Sequence, residues 1–235
     1  MTPARPRTAS SSALVDDRAQ AARALVRSRV YRVAALAFRY PDGASVPVLL
    51  RLSDPIDVAG CIPMPLAEAL GALHAALAGT TLEDLRADHA ATFGHVTLPD
   101  CPLYETVGDS AGAFRQSQAL ADLAGFYRAF GLDLAEDAGE RADHVSVELE
   151  FMHYLTYREA YARERHGPDA VAMLRDAQAR FLAEHLAAWG PALARAIGRR
   201  TDGPLAAGAA VLERCLAAER AELGLTDSED PGDEP

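Results

Sequence analysis

Ala142-Asp143-His144-Val145-Ser146-Val147-Glu148-Leu149-Glu150-Phe151-Met152-His153-Tyr154-Leu155 reads as a helix start running straight into an apolar helix. Asp143 has the side chain of an N-cap, a carboxylate able to accept from the free amides of a first turn. Val145, Leu149 and Met152 fall on one apolar stripe at helical spacing, and His144, Glu148, Phe151 and Leu155 on the stripe beside it. An imidazole and a carboxylate four residues apart therefore share a side of the helix that also packs. Polar groups in such a place need partners, or they cost stability.

The same helical signal runs through the chain. Val26, Val30, Val33 and Ala37 form a stripe that stops at Tyr40-Pro41-Asp42-Gly43. A short helix fits Val46 to Leu52. Pro63 and Pro65 suit a helix opening, and Gly79 suits its C-terminal cap. Thr80 and Glu83 have capping-box spacing for the next helix, whose inner face would carry Leu82, Leu85, His89 and Phe93. Gly94 to Gly108 reads as the longest internal loop, and a long helix from about Ala111 to Phe130 ends at Gly131. Gly-Pro pairs at 167–168, 190–191 and 203–204 each predict a stop and a restart. Later stripes are Val171, Leu174, Phe181, His185 and then Val211, Leu212, Cys215, Leu216. No alternating β-branched run reads as a strand. The expectation is one all-α domain, a single helical bundle over residues 14–224, with a disordered tail at 1–13 and an acidic disordered tail at 225–235.

With 235 residues, 49% hydrophobic and 24% charged, the chain has the composition of an ordinary globular protein. Its formal charge of -11, with arginine and no lysine, argues against nucleic acid or an anionic membrane as the main partner. It suits a partner with a basic segment. Three scattered cysteines, Cys61, Cys101 and Cys215, with no Cys-x-x-Cys pair, fit a reducing compartment, and the expected location is the cytoplasm. No apolar run follows the Arg-, Pro- and Ser-rich start, so it is not read as a secretory signal.

Enzyme chemistry finds little support. Glu150 and His153 make one Glu-x-x-His pair, where a di-iron bundle needs two such pairs and two more glutamates. The plainer reading is a surface pair. No nucleophile elbow, phosphate loop or dinucleotide fingerprint is present. No catalytic residue, metal or cofactor is expected. Two segments remain as candidates. Asp143-His144 is either a cap with a satisfied imidazole or a binding site at a helix N-terminus. Pro99-Asp100-Cys101-Pro102-Leu103-Tyr104-Glu105-Thr106 is either a stiff connector whose Tyr104 plugs the core or a loop that grips a peptide.

These two segments carry a family resemblance. Glu140, Asp143, His144, Glu148, Leu149, Phe151 and Met152 resemble the Glu-Pro-x-Asp-His and Glu-Leu-x-Phe-Met pattern of the TorD/DmsD/NarJ group, chaperones that assemble molybdenum enzymes of the dimethyl-sulfoxide reductase type. Arg141 stands where that pattern has proline. Pro102, Tyr104, Glu105 and Thr106 resemble the group's Pro-x-Tyr-Glu-Ser/Thr loop. Of its Tyr-x-x-Leu-Phe feature only Phe93 is kept, with His89 and Thr92 at the other places. The segments look closest to the branch serving type II enzymes such as dimethylsulfide, selenate, chlorate or ethylbenzene dehydrogenases and reductases. The resemblance implies a non-enzymatic cytoplasmic chaperone. It would bind the apo catalytic subunit of a molybdopterin oxidoreductase, and its twin-arginine leader, through Tyr104, Glu105, Glu140, Asp143, His144, Glu148 and Phe151. It would assist cofactor insertion and proofread export. The alternatives are a helical metal-dependent oxidase, which metal analysis would identify, and a helical ligand-binding or regulatory domain with no client.

Overall fold

The structure is a computed structural model that describes residues 11–58, 60–94, 101–107, 113–134 and 139–225. The helices are α1 (Ser11–Ala37), α2 (Ser45–Ser53), α3 (Met64–Ala78), α4 (Leu82–Phe93), α5 (Ala113–Ala129), α6 (Val145–Arg165), α7 (Pro168–Phe181), α8 (Ala187–Gly198) and α9 (Pro204–Glu222). A 3-10 turn at Pro55–Val58 precedes α3, and a π turn at Leu182–Leu186 joins α7 to α8. Among the described residues there is no strand, only an isolated bridge between Tyr104 and His144. The all-α expectation holds. Helix α1 begins at Ser11, inside the stretch expected as tail, while residues 1–10 and 226–235 lie outside the described residues.

The central pair is α1 on α6. Both stripes read from α6 are buried. Val145, Leu149, Met152 and Leu155 are each 0% exposed, and they meet Val30, Tyr31, Val33 and Ala34 of α1, and Phe38 just beyond its end, within one core. Burying a side chain of this size stabilises by about 1.5–3 kcal/mol, which is why these helices associate although neither would hold alone. On the other flank α9 packs on α3 and α8.

Helix ends follow local chemistry, with three corrections to the expected punctuation. Gly167 takes φ +81, closing α6 so that Pro168 opens α7, and Pro204 likewise opens α9. The pair at 190–191 does not stop a helix, since Pro191 lies inside α8. Burial explains this: α8 buries Gly190, Leu193, Ala194 and Ile197, and a Cβ at Gly190 would sit 2.6 Å from Leu216 Cδ1 of α9. Close packing at Gly190 offsets the roughly 3 kcal/mol that an interior proline costs. The cap of α4 is Thr81, not Thr80. The Thr80 hydroxyl donates to Ala76 O at 2.7 Å and is spent closing α3, leaving Thr81 to accept from Asp84 N. The third correction, at the start of α6, concerns the site itself. Of the expected Gly94 to Gly108 loop, residues 95–100 and 108 lie outside the described residues; 101–107 are irregular.

Candidate functional site

Helix α6 is capped by His144, one residue later than expected. His144 has extended backbone (φ -74, ψ 135), and its Nδ1 accepts from Ser146 N at 3.2 Å. An Nδ1 that accepts from an amide has its hydrogen on Nε2, which faces Glu140 Oε2 at 3.7 Å. Burial depresses the imidazole to about 4, against the opposing pull of Glu140, so the cap is neutral.

Asp143 is free of capping duty because its carboxylate turns to the 101–107 loop. It is 0% exposed. Thr106 donates to Oδ2 from its amide at 3.3 Å and from its hydroxyl at 2.7 Å. Arg141 grips the same carboxylate in a fork, Nε to Oδ1 at 3.0 Å and Nη2 to Oδ2 at 2.7 Å. The backbones pair as well, Glu105 N to Asp143 O at 2.9 Å and Val145 N to Leu103 O at 2.8 Å. The two segments singled out from sequence are therefore one unit, a loop latched to a helix start.

Tyr104 faces the same junction. Its hydroxyl donates to Glu140 Oε2 at 2.8 Å, and its ring meets the His144 ring edge-on at 5.0 Å. Burial and the Glu140 bond push the phenol up to about 12. Glu105 points inward instead, pairing with His185 Nδ1 of the π turn at 3.1 Å.

His144 and Glu148 are both buried, but each has its own partners. Glu148 is 0% exposed; Oε2 accepts from Trp189 Nε1 at 3.3 Å, and Oε1 has no protein partner. Burial, helped by the nearby Glu105 carboxylate, pushes the Glu148 acid well above the ordinary carboxyl range, so it is held neutral. The unfolded chain ionises at the ordinary value. Stability from the neutral form is thus complete below that value and is lost as pH rises toward the folded one, at about 1.4 kcal/mol per pH unit. Glu148→Gln is permanently neutral. Its stability is expected to match wild type near pH 4 and to exceed it at neutral pH, with a gap that widens with pH. Paired thermal melts across that range check this; a gap independent of pH counts against it.

Phe151 sits in an aromatic cluster with Phe181 at 4.7 Å, Tyr127 at 4.9 Å and Phe130 at 5.8 Å. It also walls a cleft of about 490 Å³ between α5 and α6. The other apolar walls are Tyr127, Leu132, Leu134, Val147 and Tyr154, and the acids are Asp133, Glu140 and Glu150. Arg39 is the single arginine among the lining residues. Of the seven residues expected to bind, Glu140 and Phe151 line this cleft; Tyr104 and His144 meet Glu140 beside it and Asp143 holds the neighbouring Arg141, whereas Glu105 and Glu148 turn away from it to His185 and Trp189. Sequence reasoning missed Asp133, Leu134, Glu150 and Tyr154. The signal available was Val147, Phe151 and Tyr154 at helical spacing on α6, with Glu150 within the same turn.

Glu150 and His153 also belong to the cleft lining, yet not as a pair. His153 Nδ1 lies 2.9 Å from Ser28 O, while Glu150 pairs with Arg32 and, at 3.6 Å, with Arg39. Among the described residues no group of three His, Cys, Asp or Glu side chains is placed to hold a metal. His89 is half-buried, T-stacked between the exposed Tyr40 and the buried Phe93 at 5.3 and 4.8 Å, and lies outside the cleft lining. Among the described residues no helix is long and apolar enough to cross a membrane.

The sequence model of the family described as nitrate reductase delta subunit matches residues 60–195. The chain is 33% identical over 179 residues to the perchlorate reductase assembly chaperone protein of Dechloromonas aromatica (strain RCB), covering 72% of this chain and 76% of that one. It is 36% identical over 148 residues to the selenate reductase assembly chaperone protein of Thauera selenatis, covering 61% and 72%. It is 42% identical over 72 residues to the chlorate reductase assembly chaperone protein of Ideonella dechloratans, covering 31% and 36%.

Proposed function

We propose, on the premise that this chain belongs to the nitrate reductase delta subunit family of TorD/NarJ-type assembly chaperones, that it binds the apo catalytic subunit of a type II molybdenum oxidoreductase in the cytoplasm. It is a system-specific chaperone, not an enzyme. It holds the subunit until cofactor is inserted and engages the twin-arginine leader until export is due. Its relatives are named for perchlorate, selenate and chlorate reductases, which supports a client of that class.

The observation that carries the leader reading is the acid-rimmed aromatic cleft beside the latched helix start. A leader of this kind has paired arginines followed by an apolar run. Leu132, Leu134, Val147 and Tyr154 offer accessible apolar surface over the buried Tyr127 and Phe151; the Asp133 carboxylate, with Glu140 and Glu150 beside their Tyr104 and Arg32 partners, offers acceptors for guanidinium groups. Apolar contact supplies most of the affinity, and charge supplies orientation and encounter rate.

Calorimetry of the full chain with the client's leader peptide tests this. Micromolar binding is expected. Moderate salt weakens it only modestly, because exposed charges are screened while apolar burial is not. Glu140→Gln with Glu150→Gln should reduce both the affinity and its salt dependence. No binding at high micromolar peptide, or complete loss at moderate salt, overturns the leader reading.

A further inference from the structure

We infer that Asp143, Thr106 and Tyr104 form a guanidinium seat that Arg141 occupies in cis, and that an arginine of the bound client segment takes over. The inference rests on the leader reading above for its occupant and on geometry for the seat.

The geometry is that of arginine recognition. The Asp143 carboxylate takes the guanidinium in a two-bond fork at 3.0 and 2.7 Å. The Thr106 hydroxyl accepts a third bond from Nη2 at 2.8 Å. The Tyr104 ring supports the flat face, with the guanidinium carbon 5.0 Å from its centroid. Fork, acceptor and aromatic face together suit a guanidinium and not an ammonium, which is a point charge without a plane. The carboxylate side chain is 0% exposed, whereas Arg141 is 43% exposed. A buried acceptor held by a half-solvated tenant can exchange that tenant without being itself exposed for long.

The position fits the role. Arg141 stands where the resembled pattern has proline, so the turn into α6 is held here by a side chain and not by a ring. Glu140, its neighbour, lines the cleft and is bonded to Tyr104. An incoming arginine that displaces Arg141 would lie next to the cleft acids, and the freed turn would no longer be held by its own residue.

The test uses the full chain with two synthetic peptides, Ser-Arg-Arg followed by an apolar run and its Lys-Lys twin. Arg141→Ala is expected to bind the arginine peptide about tenfold more tightly than wild type, because competition in cis is removed, with little change for the lysine twin. Equal or weaker binding by an Arg141→Ala protein that melts normally overturns the inference. If Arg141→Ala melts low, methylguanidinium should raise its melting temperature above an equal concentration of methylammonium, and leave wild type unmoved. No difference between the two cations overturns the seat. Rescue by methylguanidinium with neither peptide bound by either protein upholds the seat and removes the leader reading alone.

Discussion

Arg27→Ala is expected to lower stability by about 3–5 kcal/mol, as for removal of one partner from a buried ion pair. Arg27 of α1 is 7% exposed and bonds three other helices at once. Its Nε donates to Glu219 Oε1 at 2.8 Å and its Nη2 to Glu219 Oε2 at 2.7 Å, both on α9. Nη1 reaches Glu159 of α6 at 3.0 Å, and Nη2 reaches Gln178 of α7 at 2.6 Å. Burial opposes the charge on Arg27, but Glu219 and Glu159 outweigh it and raise its pKa further. Glu159 keeps Arg163 at 2.7 Å after the substitution, whereas Glu219 is left buried without its main cation. Denaturant unfolding of Arg27→Ala, Glu219→Ala and the double variant checks the account. The double variant should cost less than the two single costs added, since a charge left alone is worse than none. Strict additivity would show that the pair is not coupled.

This buried network was illegible in the sequence for a physical reason. Arg27, Glu159 and Glu219 are charged residues on helices, and a charge on a helix normally marks a solvated face. What buries them is the meeting of α1, α6, α7 and α9, and no periodicity within one helix encodes it. The α6 stripes were legible because their residues are apolar and their burial follows from spacing alone. Gly167-Pro168 and Gly203-Pro204 were legible because stop and restart are local backbone effects. The same local rule failed at Gly190-Pro191, where packing against Leu216 overrides it.

Caps show the same boundary. Thr81 rather than Thr80, and His144 rather than Asp143, became caps because the neighbouring side chain was already engaged, by Ala76 O in one case and by Thr106 and Arg141 in the other. Residue type located the helix start, and partners decided which residue does the capping. The cleft was half legible. Its α6 wall follows the helical repeat, but Leu132, Asp133 and Leu134 come from a connection with no repeat to read.

Asp143→Ala combined with His144→Ala is expected to abolish most client maturation while the helical fold survives. The two changes remove different things. Loss of the His144 cap costs about 0.5–2 kcal/mol. Loss of the Asp143 carboxylate costs about 1.5–3 kcal/mol, as for hydrogen bonds to a charged group, and leaves the Thr106 amide without its side-chain acceptor. Together these lie within the roughly 5–15 kcal/mol by which a domain of this kind is folded. The core under α6 does not depend on either side chain, since Val145, Leu149, Met152 and Leu155 pack on α1. What does depend on them is the latch. Without Asp143 the 101–107 loop keeps its backbone bonds to residues 143 and 145 but loses the side-chain fastening, and Tyr104 and Glu140 lose a fixed support beside the cleft. Client activity after co-expression should therefore fall by far more than the melting temperature suggests, with the far-ultraviolet helical signal retained. Normal maturation by the double variant would remove this junction from the binding machinery. Outright unfolding would show that the latch serves the fold alone, and His144→Asn, which puts a capping oxygen where the imidazole Nδ1 accepts, would then be expected to restore folding only together with Asp143.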